Sequence, residues 1–391
     1  MRKAEFYKNA RQDCAGPCDG LVVVEATTSW AGPLAGCLLA DFGATVIKVE
    51  HPAGEVMRRQ PLQIPGSTLM IQHETVNRNK QSVALDIREA ADKASFLRLI
   101  ERADVFIENF RPGTLASWGL GYDDLARIKP DIVYVSISGF GQFGTMAERA
   151  CYDPIAQNYC GWTSISGGAD QPPMKAPTYL GDDLGGLQAA LGALAALRHR
   201  DRTGEGQHVD VAMIDSLLYA SNGNLTAGAY GIELPRTGNQ YQNVMPASVF
   251  ICADGSAYIA TLLDSHWNAM AELIGRSDLK GLKLPERLAR RDELNGLLGA
   301  WCATRPSTMV VEAFVAQGLA ATRVNTFQDA AAEEHISSRD MLQTVRLSDG
   351  AEAPLTGPAV KFSRTPTRIR TPAPAIGQHN DALLAVSTAA E

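Results

Sequence analysis

The sequence contains few cysteines, and their spacing indicates neither a disulfide framework nor a metal site. Seven are scattered through 391 residues, an odd count that is typical of reduced thiols. Cys14 and Cys18 lie close together, but no further Cys or His pair follows at zinc-site spacing. The seven histidines form no His-Glu-x-x-His pattern either. We therefore expect no bound metal and a cytoplasmic location.

The sequence also lacks a surplus of positive charge and a long apolar run. Its formal net charge is −7, which gives no general attraction to nucleic acid or to anionic membranes. The charged start, Met1 to Lys8, has no apolar signal-peptide core. The longest apolar stretch follows Asp183, contains Gln188 and ends at Arg198, so it is too short to span a bilayer. We expect a soluble protein without nucleic-acid or membrane partners.

Apolar strands alternate with helices in the first half of the chain. This alternation predicts an α/β fold, in which a parallel sheet is covered by helices on both faces. Ligands of such sheets usually bind at the carboxyl ends of the strands. The strands are predicted at 21–25, 45–49, 82–86, 105–107, 132–137 and 209–211.

The length of the chain favours two domains. We predict a large domain over residues 1–221, a linker over 222–247 that is rich in Gly, Asn, Gln and Pro, and a small domain over 248–330. Residues 331–391 are predicted to return to the large domain, because they include a proline-rich tail with few periodic stretches. The small domain should contain strands near 249–252 and 257–262, followed by helices near 264–275, 286–303 and 307–317.

An acidic pair, Asp182 and Asp183, lies where a long helix should begin, with Gly185 and Gly186 behind it. The free N–H groups and the dipole of a helix start favour an anion. One interpretation is that the first carboxylate only caps the helix, since Asp is a preferred N-cap residue. The other is that it meets an electrophile, with the glycine N–H groups stabilising an oxyanion. The recurring leucines predict a buried face of this helix, made of Leu184, Leu187, Leu191, Leu194 and Leu197.

Two further patterns concern anionic ligands. Residues 139–144 spell Gly-Phe-Gly-Gln-Phe-Gly after a strand, but Pro154 interrupts the helix that a dinucleotide site requires, so we interpret the segment as a loop. Basic residues recur in the loops after the early strands, which favours a phosphate-rich ligand. They are Lys48, His51, Arg58, Arg59, Arg78, Lys80, Arg88 and Arg111.

Several segments resemble the class III coenzyme A transferases, the family of formyl-CoA:oxalate transferase and the carnitine CoA-transferases. The similarity covers most of residues 19–220 in the family's order. The segments that carry it are Val46–Glu50, Asn79–Asp86, Glu108–Gly113, Ser138–Gly141 and Gly204–Val211. The resemblance implies a Rossmann-like large domain, with a parallel sheet built from both chain ends, and a smaller α+β domain. It also implies that two subunits interlock as a homodimer.

The resemblance assigns roles to particular residues. The family's nucleophilic aspartate corresponds to Asp182, which would attack an acyl-CoA thioester and pass CoA to a carboxylic acid through a mixed anhydride and an aspartyl-CoA thioester. Coenzyme A is then a substrate, and no prosthetic group is implied. A dicarboxylic donor such as succinyl-CoA is expected because such acids recur in the family. The implied CoA contacts are Trp30, Ala31, His51, Leu85, Ile87, Arg88, Asn109, Phe110, Arg111, Tyr152 and Asp153.

Three departures from the formyl-CoA transferase pattern disfavour oxalate as the acceptor. Ser117 and Ala150 stand where basic residues are expected, and no glycine run occurs between Gly238 and Gly255. Two other functions stay open. An α-methylacyl-CoA racemase would need a base at the pair Tyr152-Asp153, where tyrosine is a poor base at neutral pH. A non-catalytic CoA-binding protein would use Asp182 as a plain cap.

Overall fold

The computed structural model describes residues 1–60 and 62–385. Its largest sheet has six strands, all parallel, in the order β3-β2-β1-β4-β5-β6. The bounds of each strand differ from the predicted ones by at most two residues. The α/β prediction is therefore confirmed. The strands are β1 (Val22–Ala26), β2 (Thr45–Glu50), β3 (Lys80–Ala84), β4 (Val105–Glu108), β5 (Val133–Ser138) and β6 (Gln207–Ala212).

Helices connect these strands and cover both faces of the sheet. Successive residues of a strand point to opposite faces, so Val105 and Ile107 join one apolar core while Phe106 joins the other. The helices of this part are α1 (Lys3–Phe6), α2 (Ala31–Asp41), α3 (Ile71–Asn77), α4 (Ala90–Ile100), α5 (Thr114–Ser117), α6 (Tyr122–Ile128), α7 (Asp153–Tyr159), α8 (Trp162–Ile165), α9 (Leu180–Thr203), α10 (Met213–Tyr219) and α11 (Asn224–Ala229), with a 3₁₀ turn at Val56–Arg59.

The C-terminal segment packs beside the large sheet without extending it, so the predicted sheet built from both chain ends is wrong for the described residues. Every strand of that sheet lies between Val22 and Ala212. The return segment instead forms an antiparallel pair, β10 (Leu342–Arg346) and β11 (Glu352–Thr356). It then runs past β3, where the N–H of His379 donates to the carbonyl of Ser82 at 3.0 Å. Its prolines lack the N–H groups that a strand needs for pairing.

The chain divides into two compact units. The first contains Met1–Trp162, Lys175–Gly231 and the segment from Glu334, and the second contains Thr163–Met174 and Ile232–Glu333. The second unit thus includes residues 163–174, which the sequence prediction assigned to the large domain. In the first unit, α17 (Glu334–Ser338) begins the return segment and α18 (Asn380–Leu384) is its last described helix.

The second unit is built on a three-stranded antiparallel sheet in the order β7-β8-β9. Trp267 and Phe314 lie in its apolar core. The predicted helix over 286–303 is two helices, which meet at Arg290. The elements are β7 (Ala247–Cys252), β8 (Gly255–Ala260), α12 (Asp264–Leu273), a 3₁₀ turn (Ser277–Leu279), α13 (Leu284–Ala289), α14 (Arg291–Ala303), α15 (Ser307–Ala316), β9 (Ala320–Arg323) and α16 (Phe327–Ala332).

Two features are absent from the described residues, a membrane-spanning helix and a metal-binding cluster. No helix among them combines the length and the apolar character needed to cross a membrane. No group of three or more His, Cys, Asp or Glu side chains in the same residues is arranged to hold a metal ion.

Candidate active site

Helix α9 begins two residues earlier than the sequence suggested, so neither member of the acidic pair caps it. Tyr179 is the N-cap residue, and Asp182 is the third residue of the helix. The cap comes from another helix, because Asp153 at the start of α7 accepts a hydrogen bond from the N–H of Gly181 at 2.6 Å. A carboxylate in this position satisfies a free N–H group and favours the positive end of the helix dipole. The capping interpretation of Asp182 is therefore wrong.

Asp183 has a partner of its own. The indole N–H of Trp30 donates to Asp183 Oδ1 at 2.7 Å, and the Trp30 ring packs edge-on against Tyr179 at 5.5 Å between ring centroids. This contact ties the loop after β1 to the first turn of α9. Trp30 is a predicted CoA contact, but its indole N–H is occupied by the hydrogen bond to Asp183.

Three carboxylates, those of Asp153, Asp182 and Asp183, lie together at the start of α9, and we call them the carboxylate cluster. Burial raises the pKa of Asp182 to about 7, and the negative charges of Asp153 and Asp183 act in the same direction. Burial also raises the pKa of Asp183, although its bond from Trp30 opposes the change. Within residues 1–60 and 62–385, no Lys or Arg side chain forms an ion pair with the cluster. Asp182 is thus a carboxylate held with unusually little stabilisation of its charge.

The buried face of α9 consists mainly of small residues: of the five predicted leucines, Leu197 is buried and Leu184 and Leu194 are half-buried. Leu187 and Leu191 are 48% and 61% exposed. The buried positions are Gly181, Gly185, Gly186, Ala189, Ala190, Ala193, Ala196 and Leu197. A Cβ at position 186 would lie 2.8 Å from the carbonyl oxygen of Ala31. The helix therefore buries the face whose small side chains let α2 approach its backbone. This packing requirement outweighs the periodicity of the leucines.

The N–H groups of Gly185 and Gly186 are not free to stabilise an oxyanion, as the sequence pattern suggested. Both residues lie beyond the first four positions of α9, and N–H groups at such positions bond to carbonyl groups within the helix. This part of the prediction is wrong, because the helix starts before the acidic pair. Free N–H groups occur instead at the start of α2, at Ala31 and Gly32, which precede the first intrahelical bonds. Ala31 borders the cavity described below.

Asp182 faces a cavity of about 570 Å³ in the first unit, which we call the main cavity. Its walls come from the carboxyl ends of β1, β4 and β5, where ligands of parallel sheets usually bind. Six of the predicted CoA contacts line it. These are Ala31, Asn109, Phe110, Arg111, Tyr152 and Asp153.

The loop after β1 is fixed by side chains from two other strand ends. Asn109 donates to the carbonyl of Thr28 at 2.7 Å and accepts from its N–H at 2.9 Å. Glu55 accepts from the N–H of Ser29 at 3.1 Å and from that of Met57 at 3.1 Å. Ser29 has a φ of 67°, a conformation that non-glycine residues adopt only where neighbours hold it. The amide of Asn109 therefore supports the cavity wall, and Glu55 does so without any signal in the sequence.

Cys151 is the other side chain with a nucleophilic atom next to Asp182. It lines the main cavity, and burial together with the charge of Asp182 raises the pKa of its thiol to about 11. A thiol in this state stays protonated near neutral pH, whereas the reactive form is the thiolate. At neutral pH the thiol of Cys151 is therefore protonated, whereas the carboxyl of Asp182, with a pKa of about 7, is partly ionised.

A second, smaller cavity of about 240 Å³, the lateral cavity, lies at the ends of β2 and β3. It brings His51 together with three predicted contacts that lie more than thirty positions later in the sequence, Leu85, Ile87 and Arg88. Phe110 lines both cavities, so it marks a route between them. Leu85 and Ile87 are buried, while Arg88 is exposed and pairs with Asp86 at 2.6 Å. The lateral cavity combines an apolar floor with a basic rim.

Four of the eight basic residues that the sequence suggested for an anionic ligand are instead paired with buried carboxylates. Lys80 and Lys48 lie 2.8 and 3.5 Å from Glu25 Oε1, and Arg58 lies 2.6 Å from Glu50. We call these five residues the buried ion network. Arg78 likewise pairs with buried Asp41, and Arg59 donates to main-chain carbonyls. The prediction of anion contacts is wrong for Lys48, Lys80, Arg58 and Arg78, because carboxylates inside the fold already neutralise their charges.

The remaining predicted contacts differ in exposure. Tyr152 is 76% exposed at the main cavity, and its neighbour Asp153 is 3% exposed. Arg111 is exposed and lines the same cavity. No local pattern indicated that Asp153 would cap α9, because Asp153 and Gly181 lie 28 positions apart. The segment 139–144 follows β5 as a loop and leads to no helix before Asp153, which agrees with its interpretation as a loop.

Comparisons with known proteins give one consistent result. The family model of CoA-transferase family III matches residues 18–380. Succinyl-CoA:mesaconate CoA-transferase of Haloarcula hispanica is 36% identical over 382 residues, which cover 94% of this chain and 96% of that protein. Succinyl-CoA–D-citramalate CoA-transferase of Chloroflexus aurantiacus is 34% identical, with 93% and 92% covered. The crystal structure of a CaiB/BaiF family protein from Brucella suis matches with a TM-score of 0.84 at 32% identity, with 94% and 98% covered.

Proposed function

The chain belongs to CoA-transferase family III and is a CoA-transferase, and from this premise we propose that Asp182 carries CoA between two carboxylic acids as an aspartyl-CoA thioester. The observation that supports the proposal is the state of Asp182 itself. It lines the main cavity, and its pKa of about 7 reflects burial and two neighbouring carboxylates. A carboxylate whose charge is poorly stabilised is a better nucleophile than one in water.

In the first half of the proposed reaction, Asp182 displaces CoA from the donor. A carboxylate oxygen of Asp182 attacks the thioester carbonyl carbon, the C–S bond breaks, and CoA leaves as a thiolate. The product on the protein is a mixed anhydride. The thiolate then attacks the aspartyl carbonyl carbon, the anhydride C–O bond breaks, and the donor acid leaves as its carboxylate. The aspartyl-CoA thioester remains, and no proton is gained or lost.

In the second half, the acceptor acid reverses these steps. Its carboxylate attacks the aspartyl-CoA carbonyl and releases the CoA thiolate, which gives a second mixed anhydride. The thiolate attacks the acceptor's carbonyl carbon, and the new acyl-CoA leaves with Asp182 restored. Both intermediates react with water, so the site must limit its entry. The free N–H groups at the start of α2 are our candidates for stabilising the oxyanions, a contact worth about 3 kcal/mol.

We place CoA across the two cavities. The lateral cavity would hold the nucleotide end, with Leu85 and Ile87 as its apolar floor and His51 and Arg88 at its rim. The thiol end would pass Phe110 and Arg111 and reach Asp182 in the main cavity. Trp30, Ala31, Asn109 and Asp153 then shape the site through the contacts described above, and Tyr152 stands at its opening.

For the acids, we propose a dicarboxylic donor such as succinyl-CoA. The two relatives named above use succinyl-CoA according to their names. Oxalate stays disfavoured by the sequence departures at Ser117 and Ala150 and by the missing glycine run. A cytoplasmic location is part of the same proposal, and all seven cysteines are free thiols.

We also propose that the enzyme is an interlocked homodimer, as the family resemblance implies. Apolar side chains on the outer face of α9 and on the following helices support a partner there. Leu187, Leu191, Tyr219, Leu225 and Tyr230 are all between 48% and 85% exposed. Light scattering should give twice the chain mass, and Leu191→Glu should shift the protein towards monomer or aggregate. A monomeric wild-type protein would contradict this part.

The experiment that tests the proposed function is peptide mass spectrometry after incubation with a panel of acyl-CoAs and hydroxylamine. We expect a CoA adduct or a hydroxamate on the peptide that contains Asp182. The variant Asp182→Asn should show no adduct and should lose transferase activity by about ten-thousandfold or more. Asp183→Asn is the matched control, because an asparagine oxygen can still accept the Trp30 bond.

Other outcomes would favour the alternatives. Exchange of the α-proton of an acyl-CoA into deuterated water, without any adduct, would indicate a racemase. CoA binding with neither an adduct nor proton exchange would indicate a non-catalytic binding protein. An adduct on Asp183 would overturn the assignment of the nucleophile.

A further inference from the structure

The main cavity contains a cation that the proposed reaction does not use. Among the described residues, two cationic side chains line this cavity, Arg111 and Arg149. The guanidinium of Arg149 has no ion-pair or hydrogen-bond partner in the same part of the chain, and it lies 5.9 Å from the centroid of the Phe140 ring. An unpaired arginine in a cavity that Asp153 and Asp182 also line is positioned for an anionic ligand.

The sheet order separates the two arginines. The lateral cavity lies at the ends of β3, β2 and β1, and Phe110 after β4 connects it to the main cavity. Arg111 directly follows Phe110 and therefore borders this route. Arg149 belongs to the loop after β5, which is the next strand on the side away from the lateral cavity. A CoA molecule that enters past Phe110 would bring its acyl group, and not its nucleotide, towards Arg149.

The surroundings of Cys151 indicate that Arg149 and Asp182 lie on the same side of the main cavity. The charges of both residues influence the Cys151 thiol, in opposite directions. Cys151 itself is held against the end of β5, where a Cβ at Gly139 would lie 2.0 Å from the Cys151 Cβ. The loop that carries Arg149 is thereby fixed at the side of the cavity where the nucleophile lies.

We propose that Arg149 is the specificity-determining residue of this enzyme and binds the distal carboxylate of a dicarboxylic acyl group. The inference rests on the proposed function, because it presupposes that the acyl carbonyl meets Asp182. A planar guanidinium can bind a carboxylate through two parallel hydrogen bonds. A site built for such a bond strongly rejects a substrate that lacks the polar group. An apolar pocket rejects a substrate with an additional polar group much less strongly.

Isotope exchange between an acid and its own CoA thioester tests the proposal with one acid at a time. Labelled succinate with succinyl-CoA is compared with labelled butyrate and butyryl-CoA, which replaces the distal carboxylate by a methyl group. In Arg149→Gln, kcat/KM for succinate exchange should fall by about ten- to a hundredfold, while butyrate exchange changes by less than about threefold. Arg149→Lys should recover part of the loss. Arg98→Gln, on the exposed side of α4, is the control.

The outcomes separate this proposal from the one on which it rests. Equal losses with both acids would overturn it and would assign Arg149 to CoA, and so would the absence of any change with either acid. Exchange of butyrate but not succinate by the wild-type enzyme would also overturn it, while the transferase function would stand. No exchange with either acid, together with no adduct on Asp182, would overturn both.

Discussion

The buried ion network and the carboxylate cluster both place charge inside the first unit, and they balance it differently. In the network, Glu25 lies between Lys48 and Lys80, and the side chains of all three are fully buried. In the cluster, Asp182 lies near Asp153 and Asp183, and these two accept hydrogen bonds from amide and indole N–H groups. Burying a charge is costly unless it is paired. The buried ion network therefore stabilises the fold. The carboxylate cluster keeps an unfavourable electrostatic free energy that a reaction at Asp182 can use.

The same difference explains why the prediction of phosphate contacts was wrong for several basic residues. Lys48, Lys80 and Arg58 were predicted as phosphate contacts in loops, but Lys48 and Lys80 lie within β2 and β3. Each of the three neutralises a carboxylate that the sheet buries. The side chains left for ligands, such as Arg111 and Arg149, are exposed at the main cavity. Exposure beside a cavity, and not basic character alone, distinguishes a ligand contact from a structural one.

The largest expected change in stability comes from breaking the network. Glu25→Gln removes the shared counter-ion of two buried lysines, so the free energy of unfolding should fall by about 3–5 kcal/mol. Urea denaturation at pH 7 measures it. Glu89→Gln, on an exposed residue that precedes α4 and makes no side-chain cap bond, should leave stability nearly unchanged. A loss in Glu25→Gln no larger than in this control would contradict our description of the network.

The same kind of substitution in the cluster should act in the opposite direction. The pKa of Asp182 is raised to about 7 in the folded protein, so ionisation of this carboxyl disfavours folding above pH 7. Asp182→Asn should therefore raise the free energy of unfolding by roughly 2–4 kcal/mol at pH 8. The gain should shrink as the pH falls from 7 towards the unfolded-state value near 4. Denaturation at pH 8 and pH 5 compares the two conditions, and a variant that is less stable at pH 8 would refute the prediction.

A smaller change should appear in the pH dependence of catalysis. The wild-type kcat/KM should decrease as the pH falls through about 7, because protonated Asp182 cannot attack a thioester. Asp153→Asn removes one negative neighbour while its amide oxygen can still cap α9. The acidic limb of the profile should therefore move to lower pH by about half a unit to one unit. An unchanged limb would show that burial alone sets the pKa of Asp182.

The smallest effect is expected for an exposed pair, which calibrates the other three. Arg88 and Asp86 lie 2.6 Å apart, and the Arg88 side chain is largely exposed to water. Arg88→Gln should leave the free energy of unfolding nearly unchanged, because water screens an exposed ion pair. Calorimetric titration with CoA should meanwhile show weaker binding if the lateral cavity holds the nucleotide. A large loss of stability with unchanged CoA binding would reverse the role we assign to this residue.

Local pattern predicted most of the fold. Runs such as Thr45–Val49 and Ile132–Ile137 lie in strands because their apolar side chains suit a buried parallel sheet. The helix after Asp182 was also evident, but its orientation was not. Its leucines suggested a buried face, and three of the five are buried or half-buried, yet glycines and alanines form most of that face, because close contact with α2 requires small side chains on that side. Periodicity indicates that a helix has two faces, and the neighbouring helix decides which one is covered.

The sequence by itself determined the α/β fold, the family and the position of the acidic pair, because these depend on neighbours along the chain and on motifs of a few residues. Only the tertiary structure decided which charges are neutralised. Trp30 and Asp183 are 153 positions apart, and Glu25 and Lys80 are 55 apart, so their pairing follows from the packing of the sheet and helices. The pKa of Asp182 depends on the same packing, since burial and neighbouring charges are properties of the folded chain.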